Sequence, residues 1–339
     1  MKIYHQLSEF KKLDNAIVTI GTFDGVHYGH QKIIKRLCDL AKASGGESVL
    51  LTFFPHPRMI INPENQELKM INTINEKAEI LANLGVDHLI ITPFTRDFSN
   101  LSPKDYIKNI LVDAIGTKKI IIGYDHRFGK DREGNIKLLE SFGNEYGYEV
   151  EEIPEQDIND VAVSSTKIRN ALLQGNVDLA NDYLGYNFSL YGPVIKGDKI
   201  GRTIGFPTAN IFIEETYKLI PGDGIYAVTV EMDEKVEGET QKVESKPMPY
   251  SSNLQPSTFN LVPQTYKGMA YIGHRPTING MTRNIEVNIF DFNKEIYGQN
   301  IKMNFLHFLR PDVKFTGLDT LTQQLQADKE ATLSFFKDK

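Results

Sequence analysis

The sequence predicts two domains of different class: a doubly wound α/β domain with a parallel sheet, then a six-stranded antiparallel β-barrel with a terminal helix. Three observations predict this. A chain of 339 residues is long for one hydrophobic core. Up to about residue 184, short apolar runs alternate with amphipathic helical patterns, as in a parallel sheet covered on both faces. Beyond that point Gly and Pro are frequent, the strand patterns are short and alternating, and no helical pattern returns until 318–336. The division is therefore expected at 184–186, giving domains 1–184 and 185–339.

In the first part, strands are expected at 17–20, 49–54, 88–92, 119–122 and 149–153. Helical patterns lie around 33–40, 78–84, 106–115 and 136–146. Ile33, Ile34, Leu37, Leu40 and Ala41 recur at helical spacing, and the sole cysteine, Cys38, falls near that apolar side as a small core residue. In the second part, strands are expected at 189–194, 209–213, 225–230, 269–272, 285–290 and 301–308. No apolar run is long enough to span a bilayer, and Met1-Lys2-Ile3-Tyr4-His5-Gln6 lacks the apolar block of a signal peptide, so a cytoplasmic protein is expected. A net charge of −6 with no Lys/Arg block argues against nucleic acid and leaves small phosphorylated ligands open.

The first chemical feature is Gly21-Thr22-Phe23-Asp24-Gly25-Val26-His27-Tyr28-Gly29-His30, at the step from a strand to a helix. His27 and His30 fall at the helix N-terminus, where unpaired N–H groups and the helix dipole favour an anion. Gly25 and Gly29 let the backbone approach it closely. Imidazoles there can hydrogen-bond a phosphoryl group as it transfers. The pair also reads as half of a zinc site, but no Cys-x-x-Cys, His-Glu-x-x-His or acidic cluster accompanies it, and a metal would have to recruit His56 from afar.

Three more segments fall at strand ends in this part. Thr52-Phe53-Phe54-Pro55-His56-Pro57 runs a strand into two prolines that fix where the aromatics and His56 point, or simply makes a rigid turn. Gly123-Tyr124-Asp125-His126-Arg127-Phe128-Gly129 mixes an acid, a base and aromatics, as loops that bind rings and sugars do, and as plain surface turns also do. Val163-Ser164-Ser165-Thr166-Lys167-Ile168-Arg169 opens a helix to Leu173 and sets Lys167 and Arg169 near a helix start, where the dipole opposes them; an anion between them would remove the conflict.

The barrel part holds a glycine-rich run from Gly192 to Asn210, including Lys196-Gly197-Asp198-Lys199-Ile200-Gly201-Arg202-Thr203-Ile204-Gly205-Phe206-Pro207-Thr208-Ala209-Asn210. By turn chemistry alone this is a β-turn region. Glu286, in Ile285-Glu286-Val287, is a half-buried acid in an otherwise alternating strand, explained either by a salt bridge to Arg275 or Arg283 or by chemistry. Gly222-Asp223-Gly224-Ile225-Tyr226-Ala227 fits a loose dinucleotide pattern but precedes a strand, so it reads as a turn.

These segments resemble two sets of family signatures. The Gly21–His30 segment is similar to the G-x-F-D-G-x-H-x-G-H form of the nucleotidylyltransferase motif in bacterial FAD synthetases, and 163–169 resembles the I-S-S-T-x-I-R signature of the same superfamily. The 192–210 run, Gly273-His274-Arg275-Pro276-Thr277 and 285–287 resemble blocks of riboflavin kinases. The chain thus resembles bacterial bifunctional riboflavin kinase/FMN adenylyltransferases over nearly its full length, with a Rossmann-like nucleotidylyltransferase domain first.

The resemblance implies that ATP phosphorylates riboflavin to FMN in the barrel and that a second ATP adenylylates FMN to FAD, releasing pyrophosphate, in the sheet domain. It implies catalytic roles for His27, His30 and Arg169 in adenylylation and for Glu286 as kinase base. Gly21, Phe23, Asp24, Gly25, Gly29, Ser165 and Thr166 would bind nucleotide, as would Gly197, Gly201, Arg202 and Gly205. Thr208 and Asn210 would hold Mg²⁺ and phosphate oxygens; Phe54, His56, Asp125, Phe128 and Arg275 would contact flavin. A monofunctional nucleotidylyltransferase with an accessory barrel and a non-catalytic flavin sensor are the alternatives. The chain departs from the family at His126, usually aromatic, and in an extra run at 231–266, expected as a protrusion from a hairpin.

Overall fold

Every residue of strand β2 (Ala16–Ile20) is buried, as befits a strand covered on both faces, and the sheet is built outward from it. The computed structural model describes residues 1–61, 68–154, 163–197, 200–232, 264–274 and 283–338. Strand β2 pairs in parallel with β3 (Glu47–Phe53) on one side and β5 (Thr117–Gly123) on the other. Strands β4 (His88–Thr92) and β1 (Lys2–Tyr4) extend the first side and β6 (Glu149–Ile153) the second, giving the order β1-β4-β3-β2-β5-β6. The chain winds one way from β2 to β4 and then crosses to β5. That reversal opens a ligand crevice at the carboxyl ends of β2 and β5.

Residues alternate between the two faces. Val18, Ile20, Val49, Leu51, Ile120 and Ile122 pack with residues of the helices Tyr106–Ile115 and Ile136–Tyr146. Ile17, Ile121, Leu50, Leu89 and Ile91 pack instead with the helices α1 (Tyr28–Ser44) and α2 (Ile74–Asn83). Cys38 is 5% exposed in that second layer. Two features differ from expectation. Strand β1 is too short to show a period, and its pairing to β4 makes it a strand. Tyr106–Ile115 winds as a π-helix rather than an α-helix.

In the second unit, β7 (Ser189–Ile195), β8 (Ala209–Ile211), β9 (Gly224–Met232), β10 (Gln264–Gly273), β11 (Asn284–Ile289) and β12 (Asn300–Arg310) close into a barrel in the order β10-β11-β8-β7-β12-β9. Every pairing is antiparallel. Asp223 sits in the turn before β9 and Gly224 opens that strand, so 222–227 starts no helix. A terminal helix (Leu318–Lys337) is tied to β12 by a bidentate pair: Arg310 Nε and Nη2 each donate to the buried Asp328 carboxylate at 2.7 Å.

The chain divides as Met1–Tyr186 with Glu215–Ile220, and Asn187–Glu214 with Pro221–Lys339. A single cut at 184/185 assigns this hexapeptide, with Gly185 and Tyr186, to the other side. The expected protrusion at 231–266 lies outside the described residues between 233 and 263. Its two ends meet as register partners, Met232 and Gln264.

Candidate active sites

His27 caps helix α1, and its ring stacks on that of His30 one turn on, centroids 3.7 Å apart and planes 18° apart. Nearly parallel rings cannot aim in-plane lone pairs at one ion, so the stack does not suit a shared zinc. Both Nδ1 atoms are buried and make no hydrogen bond among the described residues. Burial pushes the His27 pKa down to about 4. His30 is held well below its ordinary value by burial, then by His27 and Lys77. Both imidazoles are therefore neutral near pH 7, each with a polar atom to offer. Gly25 makes the turn before the pair at φ 85°, and an added Cβ would meet Ile71 Cδ1 at 3.0 Å.

Asp24 is 1% exposed and organises the loop. Its Oδ1 accepts from the N–H groups of Ile71 at 3.0 Å and Asn72 at 3.4 Å, and its Oδ2 accepts from Arg169 Nη2 at 2.7 Å. Burial raises the Asp24 pKa, against the opposing pull of Arg169 and Lys77. Arg169 Nε also donates to the Lys69 carbonyl at 3.0 Å. The anion expected beside this arginine is thus, in the first instance, the protein's own carboxylate. Ser164 caps the helix Ser165–Leu173, its side chain accepting from the Lys167 N–H, and Ser165 Oγ donates to the Asp24 carbonyl at 2.9 Å, tying the two signature segments together. Thr166 is exposed on the first turn.

Lys77 was not anticipated. It is 5% exposed, donates from Nζ to the Thr22 carbonyl at 2.7 Å, and burial lowers its pKa to about 8, with Asp24 opposing. Its signal was a lysine four residues before Leu81, on the buried stripe of α2. Lys77 and Arg169 against Asp24 leave this pocket with excess positive charge, which suits a polyphosphate.

His56 belongs to the same cluster: burial, then Lys77, Arg169 and Arg58, lower its pKa to about 3. Its Nδ1 accepts from the Arg58 N–H at 3.1 Å. Phe54 packs on the α2 side of the sheet, its ring 5.1 Å from that of Tyr217. The loop after β5 divides its residues between core and solvent. Phe128 is 6% exposed in the core, its ring 5.2 Å from Tyr106 and its backbone paired to Gly134, so it is a packing residue. Tyr124, Asp125 and Arg127 are the exposed members. His126 stacks on Phe128 at 5.9 Å, and burial lowers its pKa to about 4.

In the barrel, Glu286 and Asn210 are register partners across β11 and β8, which brings residues 76 apart in sequence side by side. Thr208 Oγ1 donates to Glu286 Oε2 at 3.0 Å, and Asn284 Nδ2 donates to Oε1. Arg283, one of the two cations expected beside Glu286, instead makes a bond from Nε to Asp223 Oδ1 at 3.0 Å. Asp223 also receives His274 Nδ1 at 2.6 Å. The other, Arg275, lies outside the described residues with Pro276 and Thr277, as do Asp198 and Lys199 of the glycine run.

The run folds back on itself. The Phe206 N–H donates to the Gly201 carbonyl at 2.8 Å, and a Cβ on Gly201 would clash with the Phe206 carbonyl oxygen. A Cβ on Gly197 would likewise strike the Asn210 amide. Gly205 turns the chain at φ 83°. Arg202 is more than half exposed, with Glu295 at 3.8 Å. Beneath this loop is a cavity of about 380 Å³. Phe206, Ile225, Met269, Leu321 and Leu325 give it apolar walls, and Thr208, Asn210, Glu286 and Arg310 give polar groups at its edge. Apolar walls with a few converging polar groups suit an aromatic ligand with a polar tail.

A sheet domain whose strand ends carry excess positive charge, followed by a barrel with a carboxylate–hydroxyl pair, has the build of a two-domain, nucleotide-handling transferase. Comparison with known proteins narrows that class. The family model for FAD synthetase matches residues 9–167, and that for riboflavin kinase matches 184–336. The chain is 37% identical to the bifunctional riboflavin kinase/FMN adenylyltransferase of Listeria monocytogenes, over 98% of this chain and 97% of that one. It is 32% identical to the protein of that name from Escherichia coli, over 98% and 96%. This chain belongs to the bifunctional riboflavin kinase/FMN adenylyltransferase family.

A crystal structure of a macrolide-efflux protein from Streptococcus pneumoniae has the same fold throughout, with a TM-score of 0.81, 30% identity and 98% of both chains covered. Among the described residues here, no helix is long and apolar enough to cross a membrane.

Proposed function

We propose that this chain makes FAD in two ATP-dependent steps, one in each unit, with residues 1–184 (joined by 215–220) as adenylyltransferase and the rest of 185–339 as kinase. In the barrel, riboflavin lies in the cavity with its terminal hydroxyl at Glu286. The carboxylate takes the hydroxyl proton as that oxygen bonds to the γ-phosphorus of ATP, and ADP leaves. Thr208 and Asn210 supply oxygen ligands that suit a hard, partly hydrated cation such as Mg²⁺. The Thr208 hydroxyl spends its proton on Glu286, which leaves its lone pairs for the ion. Bound there, Mg²⁺ supplies charge neutralisation at the phosphates. Gly197, Gly201 and Gly205 bring backbone close to them, and Arg202 adds a positive charge from the rim.

In the sheet domain, a phosphate oxygen of FMN bonds to the α-phosphorus of ATP and pyrophosphate leaves. His27 and His30 donate hydrogen bonds to the phosphoryl oxygens, with Arg169 and Lys77 balancing charge, as preorganised donors do. Gly21, Phe23, Asp24, Gly25, Gly29, Ser165 and Thr166 shape the nucleotide pocket. Phe54, His56 and Asp125 face the flavin, and Phe128 acts behind them through packing; Arg275 contacts the flavin on the kinase side. We further propose a cytoplasmic location, where ATP and flavins are available.

The observation that carries this reading is that each family match falls on a unit with its own assembled polar site. A sensor or a monofunctional enzyme would have no use for one of the two. The test is to incubate the purified protein with riboflavin, ATP and Mg²⁺ and resolve the flavins by chromatography. FMN should appear first and FAD after it; FAD formed from supplied FMN but not from riboflavin would support the monofunctional nucleotidylyltransferase, and no turnover of either flavin the sensor.

A further inference from the structure

Glu215–Ile220, which the sequence sets between barrel strands β8 and β9, belongs to the first unit. There it forms a short parallel ladder with residues 69–71. The Met70 N–H donates to the Tyr217 carbonyl at 2.7 Å, and the Leu219 N–H to the Met70 carbonyl at 2.8 Å. Side chains tighten it: Lys69 Nζ donates to the Thr216 carbonyl at 2.7 Å. Lys218, its side chain 1% exposed, donates from Nζ to the Ile71 carbonyl at 2.8 Å and to Glu76 Oε2 at 2.5 Å. Glu76 is also the acid of the capping box that starts α2.

The other edge of the same tripeptide holds the adenylylation site. The Ile71 N–H donates to Asp24 Oδ1, and the Lys69 carbonyl accepts from Arg169 Nε, each at 3.0 Å. Lys69-Met70-Ile71 is therefore a ledge, braced on one side by 217–219 and bracing the Asp24–Arg169 pair on the other. Removing the Lys218 ammonium would leave a buried carbonyl and a carboxylate without their charged donor, which costs far more than a surface contact and forces the ledge to shift.

We propose that Lys218 is a positioning residue for FMN adenylylation, a buried ammonium supplied from the kinase half of the sequence that sets the ledge aiming Arg169 at ATP. The inference rests on the role given to Arg169 above. It follows that a chain cut at residue 184 lacks part of its adenylylation machinery.

The test compares K218M, K218R, R169A and K218M/R169A in the full chain, measuring both reactions. K218M should lower the adenylylation kcat by roughly 10–10²-fold, the scale of a misaimed group, with the KM for FMN little changed. Riboflavin phosphorylation should stay at the parental rate, which also reports that the second unit is folded. K218R should restore most of the loss, and adding K218M to R169A should cost little more, as for two members of one network. Parental adenylylation in K218M, or losses that simply multiply in the double variant, would overturn the inference while leaving Arg169 in its role. Parental adenylylation in R169A would overturn that role and this inference with it. Should K218M fail to fold, Lys69→Met, whose exposed side chain holds the same segment, must lower the same kcat to a smaller extent, and a parental rate there overturns the proposal.

Discussion

The two sites face related tasks with opposite chemistry. The sheet-domain site is buried, lined by stacked neutral imidazoles and two cations, and its carboxylate Asp24 is consumed by Arg169 and backbone N–H groups. The barrel site presents a half-buried carboxylate, Glu286, beside a hydroxyl. Under the proposed function the substrates account for the difference. The phosphate of FMN is already ionised near pH 7 and needs charge neutralisation but no base, whereas the riboflavin hydroxyl must lose a proton and needs one.

The comparison breaks most sharply at Glu286. Glu286→Gln keeps shape and most hydrogen bonding yet should lower riboflavin phosphorylation by ~10²–10⁴-fold, the scale of general-base catalysis, with adenylylation of supplied FMN unchanged. A parental phosphorylation rate would make the carboxylate structural. On the other side, His30→Ala or Arg169→Ala should lower adenylylation by ~10²–10³-fold, as loss of one preorganised donor does. FMN should then accumulate in a chromatographic time course. Loss of both activities in a folded variant would contradict independent sites.

Acid sharpens the contrast. Burial holds His27 and His126 at about 4 and His56 at about 3, and keeps His30 well below its ordinary value; all four lie in the first unit. Above pH ~6.5 these imidazoles are neutral folded or unfolded and add no pH dependence. As pH falls from ~6.5 toward 4, the unfolded chain takes up protons that the folded unit refuses, so stability declines. Asp24, with a raised pKa, works in the opposite sense, one group against four. The urea midpoint should therefore fall between pH 7 and pH 5, with adenylylation lost before phosphorylation; a flat midpoint would contradict the burial argument.

The smallest effect is expected from the 233–263 segment, because its ends, Met232 and Gln264, already pair in a hairpin register. Replacing it with Asn-Gly, a pair that suits a two-residue hairpin turn, should preserve both activities and shift the melting temperature little. A large fall in kinase activity would show that the segment serves the flavin cavity.

Local pattern carried much of this in the sequence. The apolar runs of β2 to β6, the alternation in the barrel strands, the helix opened by 163–169 and the glycine-rich turns depend on near neighbours, so period and turn chemistry expose them. The signature residues were legible for the same reason, since each set occupies one strand-to-helix step or one loop. The burial of Phe128 was not legible, because an aromatic in a glycine-flanked loop looks the same whether it faces ligand or core. Only the tertiary structure decided what long-range pairing decides: the three-residue strand β1, the register that joins Glu286 to Asn210, the capture of Arg169 by Asp24, the burial of Lys77, and the return of Lys218 from the barrel half of the sequence to the sheet domain. A charge reveals its sign in sequence, but its partner and its solvent exposure exist only once distant segments have packed.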